Sequence, residues 1–303
     1  MFSPLVNIAR ANANSFYISS MIIQSPNVVL QGLHGRPFIA DITYRQDGHK
    51  KPVVIFSHGY VGFKDWGPFN AMAHALAEMG LVVVKFNFSH NGTTVDDPYN
   101  FADLEAFGND NFLIELDDLK VVIDWVCSDD FPAIDDADAL QLGLLGHSRG
   151  GGITILKARE DVRVKKLVTW NSVNEFGKFW TAERFEQIKR DGIIYIPNSR
   201  TKQQMPIKWQ MYESYFAHKD RLYIPDAVRE LDKPFLIIHG SKDETVPVAY
   251  AEEMHGWNPK TKLLLIENGG HTFGGKHPWM EDELSVELKE VVHATGRFLL
   301  KNH

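Results

Sequence analysis

The stretch "LQLGLLGHSRGGG", Leu140 to Gly152, carries apolar residues into Gly146-His147-Ser148-Arg149-Gly150 and then two further glycines. The apolar run predicts a buried strand, and "GGITILKARE" after it predicts a helix. A serine between glycines at a strand-to-helix bend is exposed at the tip of a tight turn, where a Cβ on its neighbours would clash with adjacent backbone. The helix that follows offers its first N–H groups and the positive end of its dipole to negative charge. A lone serine hydroxyl is a weak nucleophile. It needs a base within hydrogen-bond reach, a group to orient that base, and donors for the oxyanion it generates. The competing reading, a phosphate-binding loop, fails: no Gly-Lys-Ser/Thr follows, and no Gly-x-Gly-x-x-Gly fingerprint fits.

Outward from this turn, apolar runs alternate with amphipathic stretches. "NVVLQGLHG" and "PFIADITYR" predict two strands joined by a Gly-rich turn, and "KPVVIFSHGY" and "LVVVKFNFSHNG" flank a helical "FNAMAHALAEMG". "NFLIELDDLKVVIDWVCS" predicts a long helix with Leu113, Leu116, Leu119, Val122, Ile123 and Val126 on its apolar side. Further strands follow in "VKKLVTWNS", "KPFLIIHGSKDETVP" and "TKLLLIENGGH", with helices in "AYAEEMHGWNP" and "DELSVELKEVVHATGRFLL". Strand-helix alternation of this kind predicts an α/β fold: a mostly parallel central sheet with helices on both faces.

The pattern breaks between residues 172 and 225. There "EFGKFWTAERFEQIKRDG" reads as helical and "IIYIPNSRTKQQMPIKWQ" as a hairpin around Asn198-Ser199. The expected organisation is a core of residues 1–171 and 226–303 with a cap inserted at 172–225. The insertion holds nine Lys/Arg against six Asp/Glu, which reads first as a solvated helix face. Its aromatics, Phe176, Phe179, Trp180, Tyr195, Trp209, Tyr212, Tyr215 and Phe216, divide between packing the cap and lining an apolar pocket.

A chain of 303 residues, 44% hydrophobic and 23% charged, can bury a large core. Its net charge of −7, with both signs mixed along the sequence, argues against a nucleic-acid partner. No apolar run reaches the roughly 20 residues of a membrane span. "MFSPLVNIARANANSFYISSMIIQ" is a poor secretory signal because polar residues interrupt its apolar core. One cysteine, Cys127, forms no internal disulfide and reads as a small buried hydrophobe. These features together favour a cytoplasmic protein. They set no oligomeric state.

From about Pro52 onward the sequence resembles the α/β-hydrolase family. In that family the triad follows the order serine, acid, histidine, each just past a sheet strand. On that resemblance Ser148 is the nucleophile, Asp243 in "FLIIHGSKDETVP" is the acid, and His271 in "LLLIENGGHTF" is the base. "FSHGYVGFKDW" resembles the family's His-Gly oxyanion loop, which implies an oxyanion hole from the backbone N–H groups of Tyr60 and Arg149. Serine at the nucleophile position departs from the dehalogenase and epoxide-hydrolase members, where an aspartate attacks. The motifs look closest to the esterase and serine aminopeptidase-like branch with a small cap.

Each assignment has a rival. Glu244 could carry the acid in place of Asp243. His58 is expected to shape the oxyanion loop, and His147 to point away from the nucleophile. The Arg149 side chain could bind an anion. "DDPYNFADLEAFGND", between Asp96 and Asp110, lacks the spacing of a calcium loop and reads as a mobile loop lining the pocket. With no His-Glu-x-x-His and no cysteine cluster, the expectation is an enzyme that uses neither metal nor cofactor. The expected activity is hydrolysis of a small-molecule ester or related acyl compound by a Ser-His-Asp triad through an acyl-enzyme. An aminopeptidase-like peptidase, or a non-catalytic binding protein that retains the fold, stand as alternatives.

Overall fold

The computed structural model describes residues 21–301, so the N-terminal stretch read as a poor signal lies, through residue 20, outside them. An antiparallel pair, β1 (Met21–Gln31) and β2 (Pro37–Gln46), leads into β3 (Lys51–Ser57), α1 (Phe69–Glu78) and β4 (Val82–Phe86). After α2 (Leu104–Gly108) and α3 (Phe112–Val126) come β5 (Ala137–His147), α4 (Arg149–Glu160) and β6 (Val164–Trp170). A short 3₁₀ turn (Phe176–Phe179) and α5 (Ala182–Asp191) precede the hairpin β7 (Ile193–Pro197) and β8 (Gln204–Lys208). Then follow α6 (Trp209–Ala217), α7 (Lys219–Leu222), α8 (Ile224–Glu230), β9 (Phe235–Gly240), α9 (Ala249–Trp257), β10 (Lys262–Ile266) and α10 (Val286–Leu300).

Eight strands form one sheet in the order β1-β2-β4-β3-β5-β6-β9-β10, parallel from β4 to β10. Successive strand residues face opposite sides. In β3, Val53 and Ile55 join α3, α4, α8 and α9 on one face, while Val54 and Phe56 pack with α1 and α10 on the other. The expected two-faced, mostly parallel sheet is therefore the architecture of the chain. Its parallel strands end together at one edge, where the turns after β3, β5, β9 and β10 carry the sequence motifs.

Three details differ from the sequence reading. Cys127 is not in the core: α3 ends at Val126, and the thiol is exposed at the helix C-cap. The 225/226 boundary falls inside α8, whose Ala227 and Val228 are buried in the main core, so that helix packs with the sheet layer. The 96–110 segment contains α2 and is tied down by side chains. Asp103 caps α2 and pairs with Arg36, and Gly108 lies against Pro206 and Lys208 of the hairpin. Among the described residues no helix is long and apolar enough to cross a membrane.

Candidate active site

β5 delivers the chain into the turn at Ser148, which has φ 56° and ψ −122°. A non-glycine residue in that region costs about 1–3 kcal/mol and persists only where its surroundings hold it there. Here the Ser148 N–H donates to the Trp170 carbonyl at 2.9 Å, and the Ser148 carbonyl accepts from Gly151 at 3.0 Å. The glycines answer to the crowding around this bend. A Cβ on Gly146 would lie 2.4 Å from the Gly150 carbonyl oxygen, and one on Gly150 would lie 2.3 Å from that of His58. On Gly151 it would meet Ser172 Oγ at 2.4 Å. The run of residues without side chains lets α4 start directly against β3 and the turn after β6.

Ser148 Oγ is 3.1 Å from His271 Nε2, and His271 Nδ1 is 2.8 Å from Asp243 Oδ2. The three groups, widely separated in sequence, converge at the sheet edge. Asp243 Oδ1 accepts the N–H groups of Thr245 and Val246. Burial pushes this carboxyl upward, but the His271 hydrogen bond and the two backbone donors outweigh it and hold it below the usual range. Asp243 is buried against His271, whereas its neighbour Glu244 is exposed.

His271 is anchored through its own carbonyl, which accepts from Asn171 Nδ2 at 2.8 Å and from His147 Nε2 at 2.9 Å. Asn171, at φ 47°, also accepts the Gly240 N–H at 2.7 Å and so ties the end of β9 to the histidine loop. Sequence reasoning missed Asn171. Its one signal was an Asn just past a strand, a residue type that tolerates positive φ.

In the loop after β3, a Cβ on Gly59 would come within 3.0 Å of Ser148 Cβ, so Tyr60 follows immediately beside the nucleophile. Among the described residues, the N–H groups of Tyr60 and Arg149 donate to no other protein group. His58 bonds the Gly59 carbonyl through Nδ1 at 2.9 Å, and Nε2 lies 3.4 Å from the Phe88 N–H. Burial lowers its pKa to about 4, which keeps it neutral, as expected of a residue that shapes the loop.

The Arg149 side chain turns inward to Asp110 (2.6 Å) and Glu115 (3.0 Å). Its guanidinium lies between the rings of Tyr60 and Phe112. These two carboxylates were also missed in the sequence.

A cavity of about 400 Å³ opens over Ser148 and His271. Its far wall comes from the segment between β6 and β9, through Phe176, Phe179, Trp180, Ile194, Ile207, Met211 and Tyr212. Of the eight aromatics singled out there, four line the cavity. Tyr215 instead packs edge-on to Phe112 and Trp180, Trp209 stacks on Tyr212, and Tyr195 and Phe216 are exposed. Of the nine basic residues in that segment, Arg184 reaches the cavity. Lys178, Arg190, Lys208 and Arg221 pair with surface carboxylates.

No family model matches the sequence. Over 92% of its length or close to it the chain superimposes on solved hydrolases; on the ferulic-acid complex of Est1E from Butyrivibrio proteoclasticus it covers 90% of this chain and 98% of that one, with TM-score 0.64 and 20% identity. The chain has the α/β-hydrolase fold. Among curated proteins, this chain is 26% identical to "Putative esterase YitV" of Bacillus subtilis (strain 168), over 75% of this chain and 81% of that protein. It is 24% identical to "Uncharacterized peptidase YuxL" of the same organism, over 74% of this chain. It spans only 30% of the length of YuxL.

Proposed function

We propose that this protein is a serine hydrolase that cleaves carboxylic esters. The observation that carries the reading is the continuous line of contacts from Ser148 Oγ through His271 to the buried Asp243 carboxylate. Asp243 fixes the imidazole with Nδ1 protonated, which leaves Nε2 free to take the serine proton as Oγ attacks the ester carbonyl carbon. The oxyanion forms against the N–H groups of Tyr60 and Arg149, each worth about 3 kcal/mol in the transition state. His271 returns the proton to the departing alkoxide as the C–O bond breaks, then activates water to release the acyl group from Ser148.

The elements between β6 and α8 serve as the cap, and their apolar wall suits a hydrophobic or aryl acyl group. The esterase name of one relative supports the same reading. A peptidase that captures a substrate ammonium would want free carboxylates at the pocket, whereas Asp110 and Glu115 are engaged by Arg149. The test is labelling with a fluorophosphonate, together with turnover of p-nitrophenyl esters of increasing acyl length. Ser148→Ala is expected to abolish both. Labelling that survives Ser148→Ala, or better turnover of acetyl than of longer acyl esters, would defeat the proposal in its mechanism or its pocket respectively.

A further inference from the structure

Ser148 and His271 face a second, smaller cavity. It holds about 200 Å³ and is lined on its far side by Trp66, Phe69 and His147. The two cavities meet at the nucleophile, as the two halves of an ester would. The acyl half stays bonded to Ser148 through the intermediate and gains most from the larger apolar cavity. The other half must leave once protonated, and the smaller cavity beside His271 is where it can sit.

His147 is a polar part of that cavity's wall that plays no part in the proton transfers. His147 is only 7% exposed, and its Nε2 is 2.9 Å from the His271 carbonyl oxygen. A carbonyl oxygen can only accept, so Nε2 carries a proton. Burial pushes this histidine down to about 3, so the ring carries no second proton at neutral pH. Nδ1 is therefore a bare acceptor. Among the described residues no donor reaches it. The glycine at position 59 keeps it uncovered, since a Cβ there would sit 3.3 Å from Nδ1. An acceptor that lines a small cavity walled by Trp66 and Phe69 gains a hydrogen bond from an occupant that can donate to it and none from one that cannot.

Resting on the ester-hydrolase reading above, we propose that His147 is a specificity-determining residue. It favours esters whose departing alcohol carries a second hydroxyl, which donates to Nδ1 from within the smaller cavity.

The matched pair 2-hydroxyethyl octanoate and n-propyl octanoate tests this, because the two differ by a hydroxyl in place of a methyl. After division by their rates of hydroxide-catalysed hydrolysis, kcat/KM is expected to favour the hydroxyethyl ester about tenfold. His147→Phe should bring that ratio near one. A role limited to anchoring His271 would instead slow both esters equally and leave the ratio intact. If His147→Phe does not fold, the wild-type ratio decides alone. A wild-type ratio near one, a ratio that survives in the variant, or a hydroxyl preference on the acyl side (glycolate over propanoate esters) overturns the assignment. Failure of Ser148 to label and of any ester to turn over would instead bring down the hydrolase reading and this inference with it.

Discussion

Arg149 Nη2 lies 2.6 Å from Asp110 Oδ2, with both side chains buried, one residue after the candidate nucleophile. The same guanidinium reaches Glu115 at 3.0 Å. Burial pushes Asp110 up to about 6 and Glu115 upward as well, against the pull of Arg149. Removing the cation leaves two neighbouring acids in the interior without a counter-charge. Arg149→Met is expected to cost about 3–5 kcal/mol, read from urea unfolding at pH 7. Asp110→Asn, which leaves Arg149 paired with Glu115, should cost less. Equal stability of Arg149→Met and wild type would show that the cluster contributes nothing.

Tyr60 is proposed to act through its main chain. Its ring packs on Phe107 and on the Arg149 guanidinium, and its hydroxyl is buried with no partner among the described residues. Tyr60→Phe should therefore keep kcat/KM within about twofold and leave stability unchanged or raise it by about 1 kcal/mol. A large loss of turnover would assign the hydroxyl a role in the reaction.

Asp118 sits in α3 with Oδ2 accepting the Ser89 N–H at 2.7 Å and Oδ1 buried without a partner among the described residues. Burial raises its pKa from 3.8 to about 7. A folded-state value above the unfolded one contributes stability that is full below 3.8 and lost as pH rises through about 7. Between pH 5 and pH 8 the wild type should lose about 2.5 kcal/mol relative to Asp118→Asn, which has no such proton to release. Parallel unfolding curves for the two proteins across that range would refute the burial argument.

The glycines after Ser148 differ in kind from those elsewhere. Gly151→Ala drives a Cβ into Ser172, 2.6 Å from its Cβ, and is expected to cost about 3 kcal/mol and at least a hundredfold in turnover by moving the bend. Gly256→Ala, in the last turn of α9 with nothing within 4 Å, should raise stability by about 0.5 kcal/mol. Thermal unfolding of both variants separates steric need from chance composition.

The sheet and the three converging groups were legible because each follows a short Val/Ile/Leu run and ends in residues with few structural alternatives. Ser148 has its glycines, Asp243 its "SKDETVP" turn, and His271 its "ENGG". Contacts between charges distant in sequence were not legible. Asp110 reads as one more acid in an acidic loop, and nothing in periodicity separates it from a solvated residue until the fold sets Arg149 beside it. Cys127 was misplaced for a local reason: the apolar spacing of α3 extends smoothly to Val126, and the helix stops there, leaving Cys127 at its C-cap. His147 was expected to turn away from the nucleophile. Its Nε2 does turn to the His271 backbone, but its ring still borders the smaller cavity.

The segment that roofs the larger cavity leaves the sheet layers at the end of β6 and rejoins them at α8, which leads into β9, and β6 and β9 are hydrogen-bonded neighbours. Topologically it is a detour between adjacent rungs of a ladder. It can lengthen, shrink or be traded for an unrelated stretch while every strand keeps its place in the order. Natural variation in such a scaffold can therefore retune which molecules are admitted without redrawing the groups that would do the chemistry.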